Sequence, residues 1–443
     1  MSTIYALASG GCPSGIAVVR VSGPACREVL MGITGSVPEP RRAVLRALRD
    51  TSGQEIDRGL VLWFPGPGSF TGEDLVEFQV HGSRAVVRAL SARLGSIAGV
   101  RPAEAGEFTR RAFLSGRLDL TEAEGLADLL AAETEAQRRQ ALAQSEGNLR
   151  RLYEGWREEL IVVRALIEAE LDFADEEDIP GSVREQAFDG LVDLRDRLSR
   201  HLEDGHRGER LRDGLQVVIL GPPNAGKSTL LNALARRDVA IVTDEAGTTR
   251  DLLEVHLDLA GHPVTLVDTA GLRETTGKAE QEGIRRAVAR VEDADLVLWL
   301  QAPDLASSRP PSGIEPAIWL VKGKSDLDES ADPRDEDGWD GYAAVFSLSA
   351  TTGQGLDQLT TALSTAAHER FGAGGAAVPT RERHRVLLET CREGLEQAIR
   401  TRNDLEIAAE WLRRASDDLG RLTGRIDVED LLDHIFGSFC IGK

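Results

Sequence analysis

The feature that most constrains this chain is Gly-Pro-Pro-Asn-Ala-Gly-Lys-Ser-Thr at positions 221–229. The apolar run Gln216–Leu220 before it reads as a buried strand, and Leu230–Leu234 after it reads as a helix. Strand, glycine loop and helix in that order form a P-loop. Gly221 and Gly226 let backbone N–H groups close around phosphate oxygens, Lys227 reaches the terminal phosphates, and the Ser228 hydroxyl suits Mg2+. Asn224, Ala225 and Thr229 complete the predicted nucleotide loop.

Four further segments follow in the order and spacing of a GTPase. The stretch 243–251, with Thr243, Glu245, Ala246, Gly247, Thr248 and Thr249 as candidate nucleotide-binding positions, offers a loop whose Thr249 is expected to reach Mg2+ from the γ-phosphate side. Asp268, Thr269, Ala270 and Gly271 end the predicted strand 264–267, bringing a carboxylate to the metal and a glycine N–H to the γ-phosphate. Lys324 and Asp326 follow the strand 317–321, and Asp326 accepts from the N1 and N2 edge of guanine, which adenine lacks. Ser349 and Ala350 then close over the base. Gly323 stands where such a motif usually has Asn. The exchange removes a side chain expected to contact the base and brace the P-loop, so selectivity is expected to rest on Asp326 and affinity to be low.

At 443 residues the chain exceeds a single core, and two or three domains are expected. Without a basic-then-apolar leader or a run of membrane-spanning length, it reads as cytoplasmic. Cys12, Cys26, Cys391 and Cys440 lack metal spacing and read as reduced thiols. A net charge of −21 argues against a broad nucleic-acid-binding face, leaving RNA contact local or shared with a more basic partner. There are only five lysines, Lys227, Lys278, Lys322, Lys324 and Lys443. Under such an arginine bias, a surviving lysine marks a place where a compact ammonium is required.

Four segments are expected. Residues 1–118 form an α/β domain with strands near 15–22, 60–64 and 75–80, on which Arg20, Glu77 and His81 are the notable polar groups. Residues 119–213 are helical, with stripes Leu149–Ile167 and Leu191–Leu202 reading as packing surfaces. The G domain spans 214–370. Residues 371–443 return to helix, making a bundle split by an inserted G domain, and end in a Cys-Ile-Gly-Lys tail that fits a lipidation box poorly. The fold class is therefore multidomain α/β plus all-α.

The chain closely resembles the MnmE (TrmE) family over its whole length. The resemblance rests on Val19–Pro24, Phe70–Gly82, Gly106–Leu114, the GTPase motifs with Asp268–Glu274, and the terminal Phe439–Lys443. It implies a homodimer built on the N-terminal domain, with 5-formyltetrahydrofolate or a related one-carbon folate held by Arg20, Glu77, Arg117 and Lys443. Arg117 stands where the family usually has Lys. The resemblance makes Cys440 the functional cysteine and Glu280 the residue that orients the attacking water, with Glu282 its competitor. It implies K+-assisted hydrolysis, with Asn224, Thr243, Thr248 and the Glu245 backbone carbonyl as cation ligands. It further implies work with an FAD-containing partner, GidA (MnmG), on the wobble uridine of tRNA, installing an aminomethyl or carboxymethylaminomethyl group. Two rivals stay open: a regulatory or ribosome-assembly GTPase, and a scaffold without useful nucleotide binding.

Overall fold

The computed structural model describes residues 2–172, 181–237, 239–241, 253–268, 291, 294–305, 308–311, 313–327, 341–372, 377–426, 432, 435–437, 439 and 442. The chain divides into two compact units: residues 1–127, 144–188 and 397–443 in one, and 128–143 and 189–396 in the other.

In the first unit, six strands form one sheet: β1 (Thr3–Leu7), β2 (Ser14–Ser22), β3 (Val44–Arg49), β4 (Glu55–Phe64), β5 (Leu75–Gly82) and β6 (Val100–Pro102). Their order is β3-β4-β5-β2-β1-β6. Neighbours run antiparallel except β1 and β6. Alternation along the strands sends Val19, Val21, Val76, Phe78 and Val80 to one face. There they pack under α1 (Cys26–Thr34) and α2 (Arg84–Gly95) through Val29, Leu30, Ile33, Leu90 and Leu94. The alternate positions Arg20 and Glu77 thereby fall on the other face. The expected strands match β2, the end of β4 and most of β5; β1, β3 and β6 are additional.

Helix α3 (Glu107–Leu114) and α4 (Leu120–Ala131) follow, then α5 (Glu135–Ser145), α6 (Asn148–Asp172) and α7 (Gly181–Asp213). On α6 the stripe is buried at Leu149, Trp156, Leu160 and Ile167, and Leu191, Leu194, Leu198 and Leu202 are buried on α7. Helix α6 packs along the helix Leu405–Leu422 within the first unit. Near the C-terminus, Phe439 is buried among Leu120, Leu432 and Phe436, and a Cβ at Gly442 would lie 2.2 Å from the Leu7 carbonyl oxygen.

The second unit carries a six-stranded sheet of β7 (Leu215–Leu220), β8 (Leu253–Leu259), β9 (His262–Asp268), β10 (Leu296–Gln301), β11 (Ala317–Lys322) and β12 (Ala344–Ser347). The order is β12-β11-β10-β7-β9-β8, and all neighbours are parallel except β8 and β9. Central strands of such a sheet are covered on both faces, which is why β7 and β10 read as almost unbroken apolar runs. The chain leaves β7 for β9 on one side and later returns to β10 on the other. Their connections diverge there, opening a crevice at the carboxyl end of β7. A single residue, Gly214 at φ 78°, turns α7 into β7.

One buried carboxyl couples the first unit to pH. Asp119 Oδ1 accepts from the Glu122 N–H at 2.7 Å, and Glu122 Oε2 accepts from the Asp119 N–H at 2.7 Å, a reciprocal box at the start of α4. Burial pushes the Asp119 carboxyl up to about 7, against the pull of the Glu122 N–H and the Thr121 hydroxyl. A carboxyl raised above its ordinary 3.8 favours the fold fully below that value and loses the contribution as pH rises to about 7. Asp119→Asn keeps a carbonyl acceptor and removes the charge. Its melting temperature should therefore exceed that of wild type at pH 8, by roughly 1–3 kcal/mol of stability, and the gap should close towards pH 4. A gap independent of pH would contradict the assignment.

Candidate functional site

The crevice at the end of β7 is built by the loop 221–226 and α8 (Lys227–Ala235). A Cβ on Gly221 would meet the Leu300 carbonyl oxygen of β10 at 2.3 Å, and φ there is 148°. Only glycine allows the loop to turn this closely over the sheet. Gly226 has φ 99° at the N-cap of α8, so the free N–H groups of the first helical turn face the loop. Asn224 also has positive φ, 64°, and is exposed.

Lys227 is 9% exposed, and its ammonium donates to the carbonyls of Gly221 at 2.8 Å and Pro222 at 3.0 Å. Burial holds its pKa below the ordinary lysine value, with the Asp268 carboxylate opposing. A cation desolvated to this degree favours an incoming phosphate. Beside it, the Ser228 hydroxyl donates to Asp268 Oδ2 at 2.7 Å. Asp268 ends β9, is fully buried, and lies in register with Ile219 of β7. Sheet pairing thus brings together two oxygen donors 40 residues apart in sequence.

Next to the loop lies a cavity of about 180 Å3 lined by Ala225, Gly226, Thr229, Lys324, Asp326 and Ala350, among others. That is below the range of roughly 300–1,000 Å3 for pockets that engulf a whole ligand, and it suits a base whose phosphates lie outside on the loop. The Asp326 carboxylate is exposed and makes no hydrogen bond or ion pair with the described residues. Ser349 is buried, and its hydroxyl accepts from the Thr352 N–H at 3.2 Å, shaping the loop that carries Ala350. Sequence reasoning missed Asp304, in the turn after β10. Both of its carboxylate oxygens accept from Lys324 Nζ, at 2.9 and 2.7 Å, and this bond holds the Asp304 carboxyl below its usual range. No local motif marked it, since the contact spans 20 residues.

A second polar cluster occupies the first unit. Arg20 and Glu77 are directly opposed on β2 and β5, and Arg20 donates to Glu77 Oε1 at 3.1 and 2.8 Å. The guanidinium lies 5.7 Å from the Phe70 ring centre and 6.0 Å from that of Phe108. Arg117 is exposed, with its Cγ 3.5 Å from the Cβ position of Gly72. The segment 70–72 therefore lies near both arginines. Close by, Glu73 accepts from Ser22 at 3.1 Å and from Arg111 at 2.9 Å, partners that sequence reasoning did not single out. His81 Nδ1 is 2.8 Å from Asp57 Oδ1. Burial acts to raise the Asp57 carboxyl, but the backbone and ring N–H groups of His81 outweigh it and hold the carboxyl below its ordinary value.

Thr243, Glu245, Ala246, Gly247, Thr248, Thr249, Thr269, Ala270, Gly271, Glu280, Glu282, Cys440 and Lys443 lie outside the described residues.

A parallel sheet with a glycine loop at its switch point, a buried lysine on that loop and a serine–aspartate pair beside it define a P-loop GTPase. A family model described as the GTP-binding protein TrmE N-terminus matches residues 3–117, and one described as the MnmE helical domain matches residues 120–440. The tRNA modification GTPase MnmE of Brucella anthropi is 54% identical over 443 residues, covering 100% of this chain and 98% of its own. That of Brucella ovis is 54% identical over 442 residues with the same coverage. Among solved structures, the G domain of the T. maritima FeoB iron transporter is 24% identical, covers 34% of this chain and 97% of its own, and has a TM-score of 0.26. The chain belongs to the MnmE family.

The site yields a direct test at Gly323. A Cβ there would lie 3.3 Å from the Gln301 oxygen and from Leu300 Cδ1, and 3.6 Å from the Ala225 oxygen. Admitting a side chain takes a rotation of Leu300 and a shift of a few tenths of an ångström at the Gln301 carbonyl, after which an Asn carboxamide reaches towards the P-loop carbonyl. Gly323→Asn should tighten GDP binding about threefold to tenfold, the worth of one net hydrogen bond. An unchanged Kd by titration calorimetry would show that the site does not need the missing amide.

Proposed function

We propose that this GTPase, together with an FAD-dependent partner of the GidA (MnmG) kind, modifies C5 of the wobble uridine of tRNA, using a one-carbon tetrahydrofolate as carbon source and K+ as an aid to hydrolysis. One observation carries the reading. The likeness to tRNA modification GTPases runs from end to end at 54% identity, so the N-terminal domain and the tail accompany the G domain. A regulatory GTPase sharing only the G domain would need neither. The acidic net charge, −21, agrees with a protein that relies on a partner for much of its hold on tRNA.

In this reading Gly226 and the loop amides bind the phosphates, Lys227 offsets their charge, and Asp326 selects guanine. Ser228 and Asp268 are hard oxygen donors already in contact, a set that fits Mg2+, with Thr249 proposed to join them. Bound there, the metal neutralises charge on the phosphate oxygens. Asn224 is the proposed K+ ligand on the P-loop, with Thr243, Thr248 and the Glu245 carbonyl completing the set as two G domains of a homodimer meet. K+ supplies positive charge at the place an arginine finger would. Glu280 orients the attacking water, or Glu282 two residues on.

The N-terminal cluster fits an anionic, ring-bearing ligand: an arginine fixed by Glu77 beside two aromatic rings, with Arg117 exposed nearby. Arg20, Glu77, Arg117 and Lys443 are proposed to hold the folate, which supplies the carbon. In support, Gly442, the residue before Lys443, lies against Leu7 of β1, the strand that pairs Ala6 with Arg20. Cys440 belongs to the same tail and is assigned to the modification chemistry rather than to hydrolysis.

The tail separates the two activities. Cys440→Ser should leave steady-state GTP hydrolysis within about twofold of wild type, because the tail and the nucleotide loop belong to different compact units. In a reconstituted reaction with the flavin partner it should abolish modified uridine, read by mass spectrometry of digested tRNA. Parallel loss of both activities would overturn the separate role of the tail.

A further inference from the structure

We propose that Asp304 is a positioning residue for guanine nucleotide, holding Lys324 at the base cavity in place of the brace that Gly323 lacks. The inference rests on the reading of this cavity as the guanine site. It starts from the turn 323–327, which presents Asp326.

That turn is fixed at its root by backbone bonds. The Gly323 N–H donates to the Gln301 carbonyl at 2.7 Å, Ser325 N–H to Leu348 at 3.1 Å, and Leu327 N–H to Lys324 at 3.0 Å. None of these fixes a side chain over the cavity. Gly323 contributes no side chain, and the space its Cβ would enter is already bounded by Gln301 and Leu300 at 3.3 Å.

Lys324 lines the cavity and holds a left-handed backbone, φ 55°, so its side chain leaves the turn in a direction that an ordinary strand residue would not take. A free lysine stem would lose much of its rotamer freedom on covering a base, at the expense of affinity. The Asp304 carboxylate removes that freedom beforehand by receiving the ammonium through both oxygens. Asp304 is itself set by the turn 302–305, in which the Leu305 N–H donates to the Ala302 carbonyl at 3.1 Å. The device also suits a lysine at this place, in a chain that has only five. A single-point ammonium can sit against one carboxylate while its stem lies along the cavity wall, where a planar guanidinium would demand a wider berth.

The pair is partly exposed, 30% for Lys324 and 51% for Asp304, so its effect on affinity is modest and sensitive to salt. The test is titration of a fluorescent GDP analogue into the full-length protein. Wild type, Asp304→Ala, Asp304→Glu, Lys324→Ala and the Asp304→Ala/Lys324→Ala double variant are compared, with melting temperatures measured alongside. Asp304→Ala should weaken binding about threefold to fivefold and raise the KM for GTP by the same factor at unchanged kcat. Asp304→Glu should recover most of the loss, and the loss should shrink in high salt.

In the Lys324→Ala background, removal of Asp304 should change nothing further, because Asp304 acts only through that lysine. Tighter or equal binding by Asp304→Ala, or a loss that persists without Lys324, would overturn the inference; tighter binding would mean that Asp304 draws the lysine away from nucleotide. A wild-type protein with no affinity for GDP would overturn the guanine-site reading itself, and the inference with it.

Discussion

The approach of Gly221 to the Leu300 carbonyl is the constraint on which the nucleotide site depends. Because β7 lies between β9 and β10, the loop leaving it must turn directly over a neighbouring strand, and a Cβ at the turn would overlap a carbonyl oxygen at 2.3 Å. With glycine there, the loop closes far enough for Lys227 to reach back to the Gly221 and Pro222 carbonyls and for Ser228 to meet Asp268. Phosphate recognition is thus a consequence of sheet order. The same parallel pairing that buries Val217, Ile219 and Leu266 delivers the carboxylate of Asp268 to the serine.

The first unit solves a different problem by related means. Its antiparallel sheet is covered by helices on one face, and alternation forces Arg20 and Glu77 to the other, where cross-strand register makes them partners. Neither charge is left alone at partial burial, which would be costly. The tail joins this unit through Phe439 and Gly442. A terminus would ordinarily fray. Here the burial of an aromatic ring against α4 offsets the entropy of ordering it.

What was legible in the sequence was local. The strand, loop and helix at 215–235 follow from one apolar run, two glycines and a lysine. The strand end carrying Asp268 and the turn carrying Lys324 follow from apolar runs that stop at polar motifs. Strand β5 was readable from its alternation, and the helical stripes at Leu191–Leu202 from their spacing. The misses are contacts or contexts that no local pattern encodes. Strand β6 is only three residues long and owes its place to pairing with β1 across about a hundred residues, while β1 is short and lies between β2 and β6. The first half of β4, Glu55–Gly59, is too polar to read as a strand and is held by β3. Asp304 carries no motif, and its meaning arises only when β10 and β11 lie side by side.

The account proposed for these features is that a phosphate loop held at a sheet switch point, with Asn224 on its exposed turn, belongs to a cation-assisted GTPase rather than to a passive nucleotide binder. The most direct measurement is steady-state GTP hydrolysis by the purified full-length protein in KCl and in NaCl at matched ionic strength. The account predicts hydrolysis at least tenfold faster in KCl, with Asn224→Ala abolishing the difference. Equal rates in the two salts would contradict it, leaving a GTP-binding loop without the cation-assisted mechanism proposed for it.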